Sequence, residues 1–284
     1  MIQVNDLRFS YGDIQQSAIR DLSFTIEPGE VFGFLGPSGA GKSTTQKILI
    51  GLLTDYSGDV AVFGRSLKEW GSDYYERIGV SFEFPNHFLK LTANENLRYF
   101  AAMYAGKTCP PQDLLSLVGL EGEGDQLVSR YSKGMKNRLS VARSLLHGPE
   151  LLFLDEPTAG LDPVNANRIA DLIRAQKDVG RTVFLTTHDM AIAEDLCDRV
   201  ALIVDGEIAL IDAPRRLKIE HGKPSVCVEW RDAGRLVSTT FPLDGLGHDS
   251  DFTRLLRDKD VETIHTQEAS LADIFIQVTG QGLV

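Results

Sequence analysis

The segment Gly36-Pro37-Ser38-Gly39-Ala40-Gly41-Lys42-Ser43-Thr44 carries the clearest chemical signal in the chain. It fits the spacing G-x-x-x-x-G-K-[ST] of a loop that cradles phosphate. Its glycines let the backbone turn several N–H groups toward one anion, and a helix N-terminus adds partial positive charge. Lys42 is placed to reach the outer phosphates of a nucleotide, and the Ser43 hydroxyl to bind Mg²⁺. Much later, an apolar run ends in Asp155-Glu156 and another ends in Thr187-His188. Asp155 suits the Mg²⁺ shell, directly or through water. Glu156 suits polarisation of an attacking water, and His188 suits contact with a γ-phosphate or orientation of that water. Alone, Asp155-Glu156 reads equally well as a helix cap or solvated turn, and His188 as a capped core histidine. In this order behind a phosphate loop they form a set for nucleotide hydrolysis. Tyr11, at a strand end before Gly12, fits either ordinary packing or stacking on a base.

These residues need elements to position them. The run Glu30–Leu35 is strand-like, and Thr44–Leu53 has apolar residues at helical spacing, so the glycine loop joins a strand to a helix. Alternation over 2–10 and 18–27 predicts antiparallel strands, joined to the loop strand by Pro28-Gly29. Short strands are expected at 58–63 and 78–83. Residues about 90–147 then read as a helical insert, with a helix from Thr92 to Gly106 opened by a capping box at Thr92 and Glu95, a helix from Pro110-Pro111 to Leu120, and an amphipathic helix over Ser132–Leu146. Strands at Leu151–Leu154, Thr182–Thr186, Val200–Val204 and Glu207–Ile211 alternate with helices at Val164–Lys177 and Asp189–Cys197. The fold class expected is α/β: a P-loop nucleoside triphosphatase with a mainly parallel sheet, an N-terminal antiparallel β subdomain and a helical insert. A buried strand ending in carboxylates is where an open α/β sheet carries its site. The domain boundary is expected at 216, with a small α+β domain over 217–284 that includes a helix capped by Ser270.

Composition narrows the class. Over 284 residues the chain is 43% hydrophobic and 24% charged, as expected of a globular protein, with net charge −11. That acidity argues against nucleic acid as a partner. Cys109, Cys197 and Cys227 are far apart and lack metal-type spacing, which suggests a reduced, cytosolic setting. No apolar run approaches a membrane span, and the first residues lack a secretory pattern. Any membrane span has to come from another chain.

Together these motifs make residues 2–214 resemble the ATP-binding subunit of an ABC transporter. The family's Leu-Ser-Gly-Gly-Gln signature corresponds to Tyr131-Ser132-Lys133-Gly134-Met135, its Walker B strand to Leu151–Glu156, its D-loop to Ala159-Gly160-Leu161-Asp162 and its switch histidine to His188. The resemblance implies ATP and Mg²⁺ as cofactors, adenine stacking on Tyr11, and Mg²⁺ contacts from Ser43, Asp155 and the Q-loop position. That position holds Glu83 where the family has glutamine, a harder and charged ligand. Lys133 and Met135 are further departures from the signature, while Ser132 and Gly134 are retained.

The resemblance also implies partners. One phosphate loop and one signature per chain require a second ATPase subunit, identical or homologous, because the signature acts in trans on the partner's nucleotide. It further implies a separate integral membrane permease, with this chain peripheral at the cytoplasmic face of the cell membrane. Phe84 and Phe88 fit either core packing or a socket for that permease. The stretch Ala269–Phe275 resembles the tail of exporter-type subunits, which points to export. Soluble ABC-type ATPases acting on DNA or ribosomes carry coiled-coil inserts or paired cassettes, and neither is present here. A slowly hydrolysing regulatory module conflicts with the retention of Glu156 and His188.

Overall fold

The computed structural model describes residues 1–12, 17–222, 224–232 and 234–280. In chain order the elements are β1 (Ile2–Phe9), β2 (Ile19–Ile26), β3 (Val31–Leu35), α1 (Lys42–Leu49), β4 (Ser57–Val62), β5 (Arg65–Ser66) and β6 (Ile78–Ser81). The helices α2 (Ala93–Ala101), α3 (Pro111–Leu117) and α4 (Lys133–Ser144) follow. Then come β7 (Leu151–Asp155), α5 (Pro163–Asp178), β8 (Thr182–Thr187), α6 (Met190–Leu196), β9 (Arg199–Val204) and β10 (Glu207–Asp212). The last elements are α7 (Pro214–His221), β11 (Ser225–Asp232), β12 (Arg235–Pro242), α8 (Ser250–Asp258), β13 (Asp260–Gln267) and α9 (Leu271–Thr279). They form two compact units that divide between Ala213 and Pro214, a few residues before the boundary expected from sequence.

In the first unit a six-stranded sheet runs in the order β10-β9-β3-β8-β7-β6. Strands β3, β6, β7, β8 and β9 are parallel, and β10 returns antiparallel beside β9. A second, antiparallel sheet has the order β2-β1-β4-β5. β1 and β2 alternate buried and exposed residues, as strands with one solvated face must, whereas β3, β7 and β8 are buried throughout. An aromatic cluster joins the sheets: Phe24 of β2 lies 5.7 Å from Phe32 and 5.5 Å from Phe34 of β3, and Phe34 lies 5.5 Å from Phe184 of β8.

The strand registers place the chemistry. Leu35 pairs with Thr187, and Asp155 pairs with Thr186. The glycine loop, the Asp155-Glu156 pair and the Thr187-His188 pair therefore leave the sheet side by side at one edge. The helical insert docks beside them. Its first helix is fixed by the expected capping box: Glu95 N–H donates to Thr92 Oγ1 at 3.2 Å, and Thr92 N–H donates to Glu95 Oε2 at 2.8 Å. That helix stops at Ala101, short of the expected Gly106. α4 packs so closely on β6 that a Cβ on Gly79 would sit 2.1 Å from the Ser144 carbonyl oxygen, which only glycine avoids.

In the second unit, β11 is central in a three-stranded antiparallel sheet flanked by β12 and β13. Val226, Val228 and Phe241 form its core with Phe252 and Leu255 of α8. Ser270 caps α9, accepting from Asp273 N–H at 3.2 Å. Sequence periodicity missed α7, although Pro214 at its first position is a helix-start signal.

Candidate active site

The glycine loop is bent by close packing on its neighbours. A Cβ on Gly36 would lie 2.1 Å from the Ile203 carbonyl oxygen, and Gly41 takes φ +106°, a backbone region open to glycine. Gly41 is the residue before α1 and offers no side-chain cap, so the first N–H groups of that helix face the loop without a side-chain acceptor. Lys42 is buried and folds back over the loop, donating from Nζ to the carbonyls of Gly36 at 2.6 Å and Pro37 at 3.0 Å. Burial pushes its pKa down, and the nearby charges of Glu156, Asp155 and Glu83 oppose that shift.

Across the cavity stand the two carboxylates. Asp155 is buried and accepts from the Thr186 hydroxyl. Burial raises its pKa, against hydrogen bonds from Thr186 and Ser43 that favour the charged form. Glu156 is held at four points. Its N–H donates to the Thr186 carbonyl at 2.9 Å, its Oε2 accepts from Thr187 Oγ1 at 3.1 Å, and its Oε1 accepts from His188 N–H at 2.9 Å and meets His188 Nδ1 at 2.7 Å. Glu156 also sits at φ +48°, a left-handed conformation costly for a side chain with a Cβ and tolerated where surrounding bonds enforce it. Sequence reasoning overlooked Thr186 and Thr187, although two hydroxyls just before the strand-end histidine are a readable clue.

A cavity of about 250 Å³ is lined by Ser38, Gly39, Gly41, Lys42, Ser43, Thr44, Glu83, Asp155, Glu156 and His188. The structure thus brings together the loop, both carboxylates, the histidine and the Q-loop glutamate. Tyr11 stands at the loop as well, its hydroxyl 3.1 Å from Thr44 Oγ1 and its ring edge-on to Phe9 at 4.8 Å. Three acidic side chains face one lysine, a surplus of negative charge suited to a cation that bridges carboxylate and phosphate. Among the described residues no three His, Cys, Asp or Glu side chains stand close enough to hold a metal by themselves. The oxygen donors of Ser43, Asp155 and Glu83 fit a hard cation such as Mg²⁺ that also takes phosphate and water ligands.

The signature lies elsewhere. Ser132 caps α4, accepting from Met135 N–H at 3.1 Å, and neither it nor Lys133, Gly134 or Met135 lines the cavity. These residues pack instead against the loop before α5: a Cβ on Gly134 would touch Leu161 at 3.1 Å, and a Cβ on Gly160 would lie 3.7 Å from the Lys133 stem. Asp162 caps α5, accepting from the N–H groups of Val164 and Asn165 at 3.1 Å, and its bonds from Asn165 hold its carboxyl below the usual range.

Past Glu83 the chain is braced from three sides. Asn96 brackets Phe88, accepting from its N–H at 2.9 Å and donating to its carbonyl at 3.0 Å. Arg143 donates to the Asn86 carbonyl at 2.7 Å, and His87 Nε2–H donates to the Lys136 carbonyl at 2.9 Å. Phe84 is nonetheless 72% exposed and Phe88 44% exposed, with Tyr99 beside Phe88 at 4.7 Å. They form an apolar surface, and Phe84 in particular is no part of the core.

This geometry is that of a phosphate-loop nucleotide hydrolase, and the comparisons with known proteins agree. The family profile described as ABC transporter matches residues 19–159, and the one described as fluoroquinolone efflux ABC transporter C-terminal domain matches 225–268. The chain is 57% identical over 284 residues to the fluoroquinolones export ATP-binding protein of Mycobacterium tuberculosis (strain ATCC 25618 / H37Rv), spanning 100% of this chain and 94% of that one. It is 39% identical over 210 residues to the bacitracin transport ATP-binding protein BcrA of Bacillus licheniformis, covering 73% of this chain and 68% of that one. Among solved structures it resembles the dimeric post-hydrolysis state of the ATP-binding cassette MJ0796 bound to ADP and Pi, with TM-score 0.69 and 25% identity over 75% of this chain and 98% of that one. The chain belongs to the ABC transporter ATP-binding family and is an ATP-binding, ATP-hydrolysing subunit of a multi-subunit transporter.

His87 gives this region a pH dependence. Burial lowers its pKa to about 4, against the hydrogen bond to the Lys136 carbonyl and with the positive charges of Arg143 and Lys136. The unfolded chain, with a histidine near 6.5, binds the extra proton first, so stability is full above pH 6.5 and falls as pH drops toward 4. Between pH 7 and 5 the loss expected from His87 is on the order of 1–2 kcal/mol. In denaturant titrations at those two pH values, His87→Gln is expected to remove that part of the decline.

Proposed function

We propose that this subunit powers an exporter, hydrolysing ATP at two composite sites formed between two ATPase subunits. The observation that carries this reading is the division of the motifs. Lys42, Asp155, Glu156 and His188 line one cavity, while Ser132 and Gly134 lie outside it on the same chain. A second subunit, facing the first, would set its signature over the nucleotide, so ATP joins the two.

Within each site the loop N–H groups and Lys42 bind the phosphates, and Tyr11 stacks on adenine. Glu156, held by Thr187 and His188, polarises a water aimed at the γ-phosphorus. As the new oxygen–phosphorus bond forms, the bond to the ADP oxygen breaks, and the water's proton passes toward Glu156. His188 keeps that carboxylate oriented and reaches the γ-phosphate. Ser43, Asp155 and Glu83 would hold Mg²⁺, which supplies charge neutralisation between the phosphates. Glu83 in place of an amide adds a negative charge beside the γ-phosphate.

Phe84 and Phe88 belong to the docking surface for the membrane subunit. Among the described residues no helix is long and apolar enough to cross a membrane. Membership of the ABC transporter ATP-binding family supports assigning the transport path to the permease and this chain to the cytoplasmic face of the membrane through it. The 57% identity to a fluoroquinolones export protein and the match over 225–268 support fluoroquinolone-type compounds as the exported class.

Three outcomes test this reading. Glu156→Gln is expected to lose ATPase activity yet run as a dimer with ATP and Mg²⁺ on size exclusion; a monomer at saturating ATP contradicts it. Glu83→Gln is expected to shift the Mg²⁺ concentration for half-maximal ATPase activity, and an unchanged Mg²⁺ titration removes Glu83 from the metal site. Phe84→Asp is expected to keep soluble ATPase activity while failing to co-purify with the permease and failing to lower fluoroquinolone accumulation in cells.

A further inference from the structure

Asn137 is 3% exposed and lies one turn into α4, the helix that begins at the signature. Its side chain does not serve its own helix. Nδ2 points at three carbonyl oxygens of the segment after β7: Pro157 at 3.2 Å, Ala159 at 3.3 Å and Glu156 at 3.5 Å. Its Oδ1 is buried without a partner, so the amide orientation follows from the three acceptors, which the NH₂ end alone can satisfy.

The segment it grips carries backbone strain. Glu156 occupies the left-handed backbone region at φ +48°, and the turn after it closes through Ala159 N–H to the Glu156 carbonyl at 3.1 Å and Leu161 N–H to the Thr158 carbonyl at 3.2 Å. Such a conformation persists only where its surroundings enforce it. Thr186, Thr187 and His188 hold the carboxylate and N–H side of Glu156. On the carbonyl side, Asn137 is the side chain that reaches across from the helical insert. A turn earlier the same two segments run close together, since a Cβ on Gly134 would lie 3.1 Å from Leu161 and one on Gly160 3.7 Å from the Lys133 stem.

We propose that Asn137 is a positioning residue for ATP hydrolysis. Through its amide, the helix whose N-terminus meets the opposing subunit's nucleotide holds Glu156 and the following turn in the geometry that aims Glu156 at water. Closure over one nucleotide is thereby felt at the general base of the other site. This rests on the two-subunit reading above, whereas the link from α4 to Glu156 lies within one chain.

The test uses the full-length protein with Asn137→Leu, which keeps volume without donors, and Asn137→Asp and Asn137→Ala as alternatives where Leu fails to fold. The kcat for ATP is expected to fall about 10- to 100-fold, with KM within about threefold of the parent and cooperativity in ATP reduced. In the Glu156→Gln background, Asn137→Leu is expected to leave ATP-driven dimerisation at the same ATP concentration within about threefold. A kcat within about threefold of the parent in the folded variants overturns the proposal. So does a loss of dimerisation that matches the loss of kcat, which would make Asn137 a part of closure alone. If Glu156→Gln itself stays monomeric, the two-subunit reading fails, and the kcat and KM of the Asn137 variants still decide the positioning role.

Discussion

The parallel register of β3, β7 and β8 is the constraint on which the rest of the molecule depends. Leu35 opposite Thr187 and Asp155 opposite Thr186 make three strands end level. The glycine loop, the carboxylate pair and the histidine then emerge within one cavity, although more than a hundred positions of chain separate the loop from the other two. Register in a buried sheet is strictly held, because a slip by one residue turns every side chain to the opposite face. Fully buried apolar strands, locked by the Phe24–Phe32–Phe34–Phe184 cluster, give that register its rigidity.

Of the five non-glycine residues in the left-handed backbone region among the described residues, Glu156 is the one that lines the cavity. Glu156 is the first residue past β7 and is kept in a left-handed backbone by bonds from β8, from His188 in the link between β8 and α6, and from α4. A rigid sheet can hold such a residue where an isolated loop could not. The helical insert is tied to the same point by Asn137 and to the strand β6 by the Gly79–Ser144 approach. The insert is thus tied to Glu156 and to β6, and through Asn96, Lys136 and Arg143 to the segment that presents Phe84 and Phe88.

Charge is the ground for proposing that the cavity takes its nucleotide together with a metal. Glu83, Asp155 and Glu156 confront Lys42, and burial already weakens the lysine's hold on its proton. A bare triphosphate would meet repulsion from the carboxylates; a cation shared with Asp155 and Ser43 converts that repulsion to attraction.

Much was legible in the chain because the decisive signals are local. The phosphate loop needs glycines at fixed offsets, the buried strands are continuous apolar runs, and the Thr92–Glu95 and Ser270–Asp273 caps are short-range hydrogen bonds. For the same reason the order of strands and helices, the helical insert and the loop, Asp155, Glu156 and His188 could be named from sequence. What only tertiary structure decided are the contacts between distant segments. These include the grip of Thr186 and Thr187 on the two carboxylates, the reach of Asn137 to Glu156, and the exposure of Phe84. The helix α7 escaped because it is short and weakly periodic. Periodicity and spacing report which face a residue takes on its own element; which neighbour that face meets depends on long-range register and close packing, and those exist only once the chain has folded.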